Sequence, residues 1–159
     1  MTHTPVITRI WLALLVAATL ALALVNLPYA PRTWFDEGSH LHVPKTLLAD
    51  GKYADKSATA DGGVEYRYHG PTIGIGPTIM LPVTLAFAVA GVDLLAARLV
   101  MVGYLLLALL AMFLLARRMY GTTAALLATT LLLASRTVSY EGAIEYGRQV
   151  LGEVPGTAF

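Results

Sequence analysis

The stretch Leu94–Ala116, LLAARLVMVGYLLLALLAMFLLA, decides the fold. A helix needs about 20 predominantly apolar residues to cross the hydrocarbon core of a bilayer, and this run meets that length with Arg98 as its one charge. The Arg98 stem is expected to lie along apolar surface while its guanidinium reaches the outer headgroup region. The run ends in Arg117-Arg118-Met119-Tyr120-Gly121, and a second apolar run begins at Thr122. Two arginines in a tight turn between apolar runs belong on the cytoplasmic side, so this turn sets the orientation of the chain.

Upstream, Ile10–Leu27 is uncharged, preceded by Arg9 and followed by Pro28. At about 18 residues it lies near the lower limit for a span. A signal peptide is the competing reading, but the apolar run is long and no clear A-x-A cleavage site follows it. Downstream, Thr122–Ala134 is apolar but short, so a third helix over about 119–136 must take in neighbouring residues or thin the bilayer. The composition agrees: 57% of the 159 residues are hydrophobic and 13% charged, more apolar surface than one soluble core of this size could bury. A net charge of +1 without a basic cluster excludes a nucleic-acid footprint. With no cysteine, any metal would rest on Asp, Glu or His.

Between the first two spans lies an external loop, residues 28–93, which carries most of the charge. Asp36 to Ala49 reads as a short helix with Asp36 at or near its N-cap, Leu41, Pro44 and Leu48 along one side, and Gly51 as the stop. Pro44 removes one internal hydrogen bond, so a kink or an early end is expected. Lys56 to Gly63 reads as a surface turn. Pro71–Val92 is uncharged and long enough to span, but Pro71, Pro77, Pro82, Gly70, Gly74 and Gly76 interrupt it. If it crossed, an N-in chain would place Arg117 and Arg118 outside, so it is expected to lie at the interface. Residues 137–153 form a second external segment. The step Glu153-Val154-Pro155 into apolar residues reads as the opening of another helix, with Pro in its first turn, so a longer protein is expected. The fold class expected is an all-α, polytopic membrane protein: about three transmembrane helices (10–27, 94–116, 119–136), a long external loop with short interfacial helices, and a cytoplasmic N-terminus in a cell membrane.

The candidate chemistry gathers at the membrane-proximal ends of these loops. Trp34 and Phe35 suit the interface, so Asp36 and Glu37 would project just above it. Adjacent helical residues point about 100° apart, so only one of the two carboxylates need face a site. His40, one turn beyond Asp36, shares its side, and the two could bind a divalent ion; an N-cap with an ordinary Asp–His pair explains the same spacing. His69, after Tyr66 and Tyr68, falls where the charged loop meets the apolar segment, a place for a ligand or for a hydrogen-bonded interfacial histidine. Arg148 is placed to pair with Glu153 or to meet a phosphate. Glu141 and Glu145 read as a solvated i,i+4 pair.

Taken in order, several fragments resemble the N-terminal part of the GT-C class of membrane glycosyltransferases, which includes protein O-mannosyltransferases and lipid A aminoarabinose transferases. They are Trp34-Phe35-Asp36-Glu37-Gly38, Leu47 to Tyr53 (LLADGKY), Tyr68-His69-Gly70-Pro71, Ala97-Arg98-Leu99, Arg117 to Gly121 (RRMYG) and Arg148 to Pro155 (RQVLGEVP). The resemblance implies transfer of a sugar from a polyprenyl-phosphate donor to a lipid or protein acceptor at the outer face of the cytoplasmic membrane. On that reading Asp36 matches the first-loop acidic residue, as base or substrate-positioning group. Glu153 matches the acid before Pro in the second external loop, where Asp is the commoner residue. Glu37, Arg148 and Tyr68 would contact substrate, and Asp36, His40 and His69 would hold a metal if one is used. The departing phosphate needs a cation, either a divalent metal or arginine. Family members have many more membrane helices, so this chain is not expected to catalyse alone. The rival reading is a small non-catalytic membrane binding or scaffold protein whose Asp36 and Glu153 are ordinary surface acids.

Overall fold

The computed structural model describes residues 6–70, 76–135, 142–152 and 155. Its elements run α1 (Val6–Leu24), α2 (Phe35–Asp50), β1 (Ala54–Ala58), β2 (Val64–Tyr68), α3 (Pro77–Ala90), α4 (Leu94–Tyr120), α5 (Thr122–Ala134) and α6 (Ala143–Tyr146). Two of them, α1 and α4, are long and apolar enough to cross a membrane. The first presents most of its side chains outward, burying only Thr8, Thr19 and Ala23 while Ile7, Ile10, Leu14 and Leu22 are exposed; α4 buries one side, including Ala97, Met101 and Leu105.

The first helix starts earlier than the charge pattern suggests and ends at Leu24, with residues 25–30 in turns. The second long helix runs past Ala116 to Tyr120, so Arg117 and Arg118 occupy its last turn, where cations meet the negative end of the helix dipole. The tight turn expected at 117–121 shrinks to Gly121 alone, whose φ of 86° ends α4 before α5 begins. At 13 residues, α5 is about 20 Å long, shorter than the hydrocarbon core.

Two buried clusters hold the helices together. Ile79, Val83 and Phe87 of α3 pack on Ala96, Ala97 and Met101 of α4, with Val150 beside them. Ala23 and Leu27 at the end of α1 pack on Val102, Leu105 and Leu109 of α4. The segment after α6 enters this packing closely: a Cβ on Gly147 would lie 2.8 Å from Leu105 Cδ1 and 2.9 Å from the Ala143 carbonyl oxygen, so no larger residue fits without a shift.

The loop differs from expectation in three ways. It is not all helical, because β1 and β2 pair as an antiparallel hairpin from Ala54↔Tyr68 to Ala58↔Val64. The surface turn narrows to residues 59–63, closed by Thr59 N–H to the Gly63 carbonyl, with Gly62 at φ 81°. Short strands carrying Asp, Lys, Glu and Arg have no apolar alternation to announce them. Secondly, α2 is capped by Trp34, placing Asp36 in its first turn, and it passes through the buried Pro44 without stopping before Asp50. Its covered residues are Glu37, Val43, Pro44 and Thr46, while Leu48 is exposed, so the expected apolar stripe is rotated. Gly51 does end the helix in a left-handed conformation (φ 67°), its N–H bonding the Leu47 carbonyl. Thirdly, within Pro71–Val92 residues 77–90 form one helix, with Pro77 at its start and Pro82 inside; residues 71–75 lie outside the described set.

Candidate functional site

The polar centre of the molecule sits where α1 ends, α2 and α4 begin, and residues 147–151 return. Arg98, in the second turn of α4, is fully buried, as is Glu37, in the first turn of α2. Arg98 Nε donates to Glu37 Oε1 at 2.8 Å and Nη2 to Oε2 at 2.6 Å, a two-pronged pair. Its Nη1 donates to the Leu27 carbonyl at 2.7 Å, and Nη2 also to that of Pro31 at 2.9 Å. Glu37 Oε1 accepts a third bond from the Val150 N–H at 3.2 Å. The outward-reaching Arg98 expected from the sequence is thus corrected: a carboxylate 61 residues away draws it inward. Leaving either charge unpaired there would cost several kcal/mol, so the pair ties four chain segments to one geometry. Because Arg98 near the start of α4 binds the chain just beyond α1, the loop between them leaves from and returns to the same end of the helices.

Glu37, expected to contact substrate, is consumed by this pair and reaches no open surface. Its neighbour Asp36 points the other way and is exposed, as the 100° step between adjacent helical residues requires. His40 Nδ1–H donates to the Val150 carbonyl at 2.9 Å. His69 does not join it. Its Nε2 lies 2.7 Å from Asp55 Oδ2 at the base of the hairpin. Among the described residues no three His, Asp or Glu side chains converge as a metal site, so Asp36, His40 and His69 are not assembled as expected. Tyr68 is exposed, its ring centroid 6.5 Å from that of Tyr66. Glu141 and Glu153 lie outside the described residues. Glu145 Oε2 accepts the Gly142 N–H at 3.0 Å at the start of α6, and its expected pairing with Glu141 lies outside the described residues.

Arg148 stands apart. It is only 8% exposed, and it donates through Nη1 to the Leu22 carbonyl at 3.4 Å and through Nη2 to that of Val25. Both carbonyls belong to the last turn of α1 and the residues just beyond it, where orphan acceptors are expected. Its Nε–H is buried with no hydrogen-bond partner. Burial first, then the nearby positive charge of Arg98, push its pKa below that of an ordinary arginine, with Glu145 opposing them. The result is a buried cation with an unused donor, about 8% open to its surroundings. An incoming oxyanion would supply both the missing acceptor and the missing charge.

An apolar crevice between α1, α4 and α5, lined by Leu12, Leu109, Phe113 and Leu133, does no chemistry of this kind. Its polar members, Thr19 and Thr129, bond the carbonyls of Leu15 and Ala125 in their own helices. No family model, no curated protein and no solved structure matches this chain. The transferase likeness therefore stands on the residue fragments quoted above, and the function is argued from the arrangement just described.

Proposed function

We propose that this chain is part of a membrane glycosyltransferase that moves a sugar from a polyprenyl-phosphate donor to a lipid or protein acceptor at the outer face of the cytoplasmic membrane. On this reading α1, α4 and a locally thinned crossing by α5 span the bilayer. Arg117 and Arg118, at the far end of α4 from Arg98, put that end in the cytoplasm and the Asp36 end outside. The observation that carries the proposal is the juxtaposition at this outer end: an exposed carboxylate, Asp36, beside a buried ion pair, and a buried guanidinium, Arg148, with one donor unused.

Sugar transfer needs both groups. The acceptor hydroxyl oxygen forms a bond to the anomeric carbon, and the bond from that carbon to the phosphate oxygen breaks, its electron pair leaving with the polyprenyl phosphate. Asp36 takes the proton lost by the hydroxyl. Arg148 meets the negative charge gathering on the phosphate, the role the sequence left open between a metal and arginine. Glu37 and Arg98 act as positioning residues, fixing the start of α2 and hence Asp36. Glu153 keeps the second acidic role implied by the resemblance, and Tyr68 a contact to substrate.

The test is binding by the full coding region containing this chain, purified in nanodiscs. Polyprenyl phosphate should bind at least about tenfold more tightly than the corresponding alcohol, and Arg148→Gln should erase that preference while Arg148→Lys keeps part of it. Equal binding of phosphate and alcohol by the unaltered protein would sink the reading and favour the non-catalytic scaffold.

A further inference from the structure

The chain contains three lysines, Lys45, Lys52 and Lys56; Lys45 and Lys56 line one cavity, and Lys52 and Lys56 share the Tyr66 ring. They come from α2, from the turn after it and from β1, and the hairpin folds back on α2. His42, Lys45, Thr46 and Ala49 recur at helical spacing and share one face of α2. With Asp50 and Lys56 they line a cavity of about 140 Å³. Lys56 Nζ donates to Asp50 Oδ2 at 2.9 Å, and the Tyr66 hydroxyl donates to the same oxygen at 3.2 Å. Lys52 Nζ lies 3.6 Å from the centroid of the Tyr66 ring and Lys56 Nζ 5.8 Å from it.

Two ammonium groups, Lys56 and Lys52, thus act on the Asp50 carboxylate, which is already bonded to Lys56. Lys45 is exposed on the cavity wall, beside His42. Lys45 and Lys56 facing one cavity repel each other, and an anion between them would turn that repulsion into attraction. Water fills about 30 Å³ per molecule, so the cavity has room for a tetrahedral oxyanion with a water or two. Along α2, Thr46 lies ten residues beyond Asp36, about 15 Å at helical rise, so this is a place distinct from the Asp36–Arg148 end.

We infer that the cavity between α2 and the hairpin binds a phosphate-type oxyanion, with Lys45 and Lys56 as its donors and Lys52 adding charge at the rim. The inference does not depend on sugar transfer: the cavity and its charges are the same if the chain is a scaffold. The anion can reach it as a soluble phosphate or as a lipid headgroup, and the chemistry of recognition is shared.

Because there are only three lysines, reductive ¹³C-dimethylation, which keeps the charge, labels the site with one resonance per lysine besides the N-terminus. The protein in phosphatidylcholine nanodiscs is titrated with inorganic phosphate at constant ionic strength against chloride. A second series replaces the added phosphate with phosphatidic acid in the bilayer. A saturable shift of Lys45 and Lys56 with inorganic phosphate supports a soluble ligand; a shift only with phosphatidic acid supports a headgroup. In either case Lys45→Gln should weaken binding, read at Lys56, by at least about tenfold. Lys45 is exposed, so this variant leaves the packing intact, which the unshifted Lys52 resonance checks. No shift in either series, an equal shift with chloride, or binding unaffected by Lys45→Gln would overturn the inference.

Discussion

Replacing Glu37 by Gln removes one charge from a fully buried place and changes almost nothing else. The carboxylate accepts from Arg98 Nε at 2.8 Å, from Arg98 Nη2 at 2.6 Å and from the Val150 N–H at 3.2 Å. The amide oxygen of Gln can replace one carboxylate oxygen, but its NH₂ then faces a donor, and Arg98 keeps a full charge with only the Leu27 and Pro31 carbonyls to meet it. Breaking a buried pair from one side typically costs about 3–5 kcal/mol. For a chain of this length that corresponds to a fall of roughly 6–20 °C in unfolding midpoint. Thermal unfolding in one detergent, followed by circular dichroism, reads it directly. The double variant Glu37→Met with Arg98→Met should recover most of the loss, because well-packed apolar residues often replace a buried pair at little cost. A midpoint for Glu37→Gln within about 2 °C of the unaltered protein, under 1 kcal/mol by the same conversion, would refute the account of this centre.

Two further outcomes follow from the loop and its surroundings. A reporter fused after Gly121 should read cytoplasmic and one within residues 59–62 external, since α4 carries Arg117 and Arg118 to the opposite end from the loop; the reverse pattern would contradict the assigned orientation. The bond from Lys56, with help from Tyr66, holds the Asp50 carboxyl below the ordinary value of 3.8, while Asp50 raises Lys56 above 10.5. The stability Asp50 contributes is therefore present above pH 3.8 and lost as pH falls through its lowered folded value. That of Lys56 is present below pH 10.5 and lost as pH rises through its raised one. Carboxyl ¹³C titration should show Asp50 ionising below 3.8 and moving back up in Lys56→Gln; an Asp50 at or above 3.8 in the unaltered protein would contradict the pairing.

What could be read in advance was what local pattern determines. Run length and missing charge located α1 and α4 to within a few residues at most ends, and Gly51 marked the stop of α2 because only a left-handed residue closes that helix comfortably. Pro44 did not end α2 early, and the buried ring is held by packing within the helix. The fate of Arg98 was hidden for a different reason: a lone arginine in an apolar run is compatible with reaching out or turning in, and the deciding partner is Glu37, 61 positions away. Side by side, Asp36 and Glu37 were known to diverge, but which one faces the core depends on how α2 is rotated against α4. The hairpin was invisible because its strands are five residues long and charged, and with it went the placing of Lys56 in the cavity that Lys45 lines, which only that fold-back produces.

The central claim is that Asp36 acts on a sugar carried by polyprenyl phosphate. Membranes containing the full coding region should transfer radiolabelled sugar from that donor to endogenous lipid or protein. Asp36→Asn, at an exposed position outside the buried pair, should abolish transfer by at least about 100-fold with insertion and unfolding midpoint unchanged. Transfer undiminished in Asp36→Asn, or none by the unaltered protein with any polyprenyl-phosphate sugar, would contradict it.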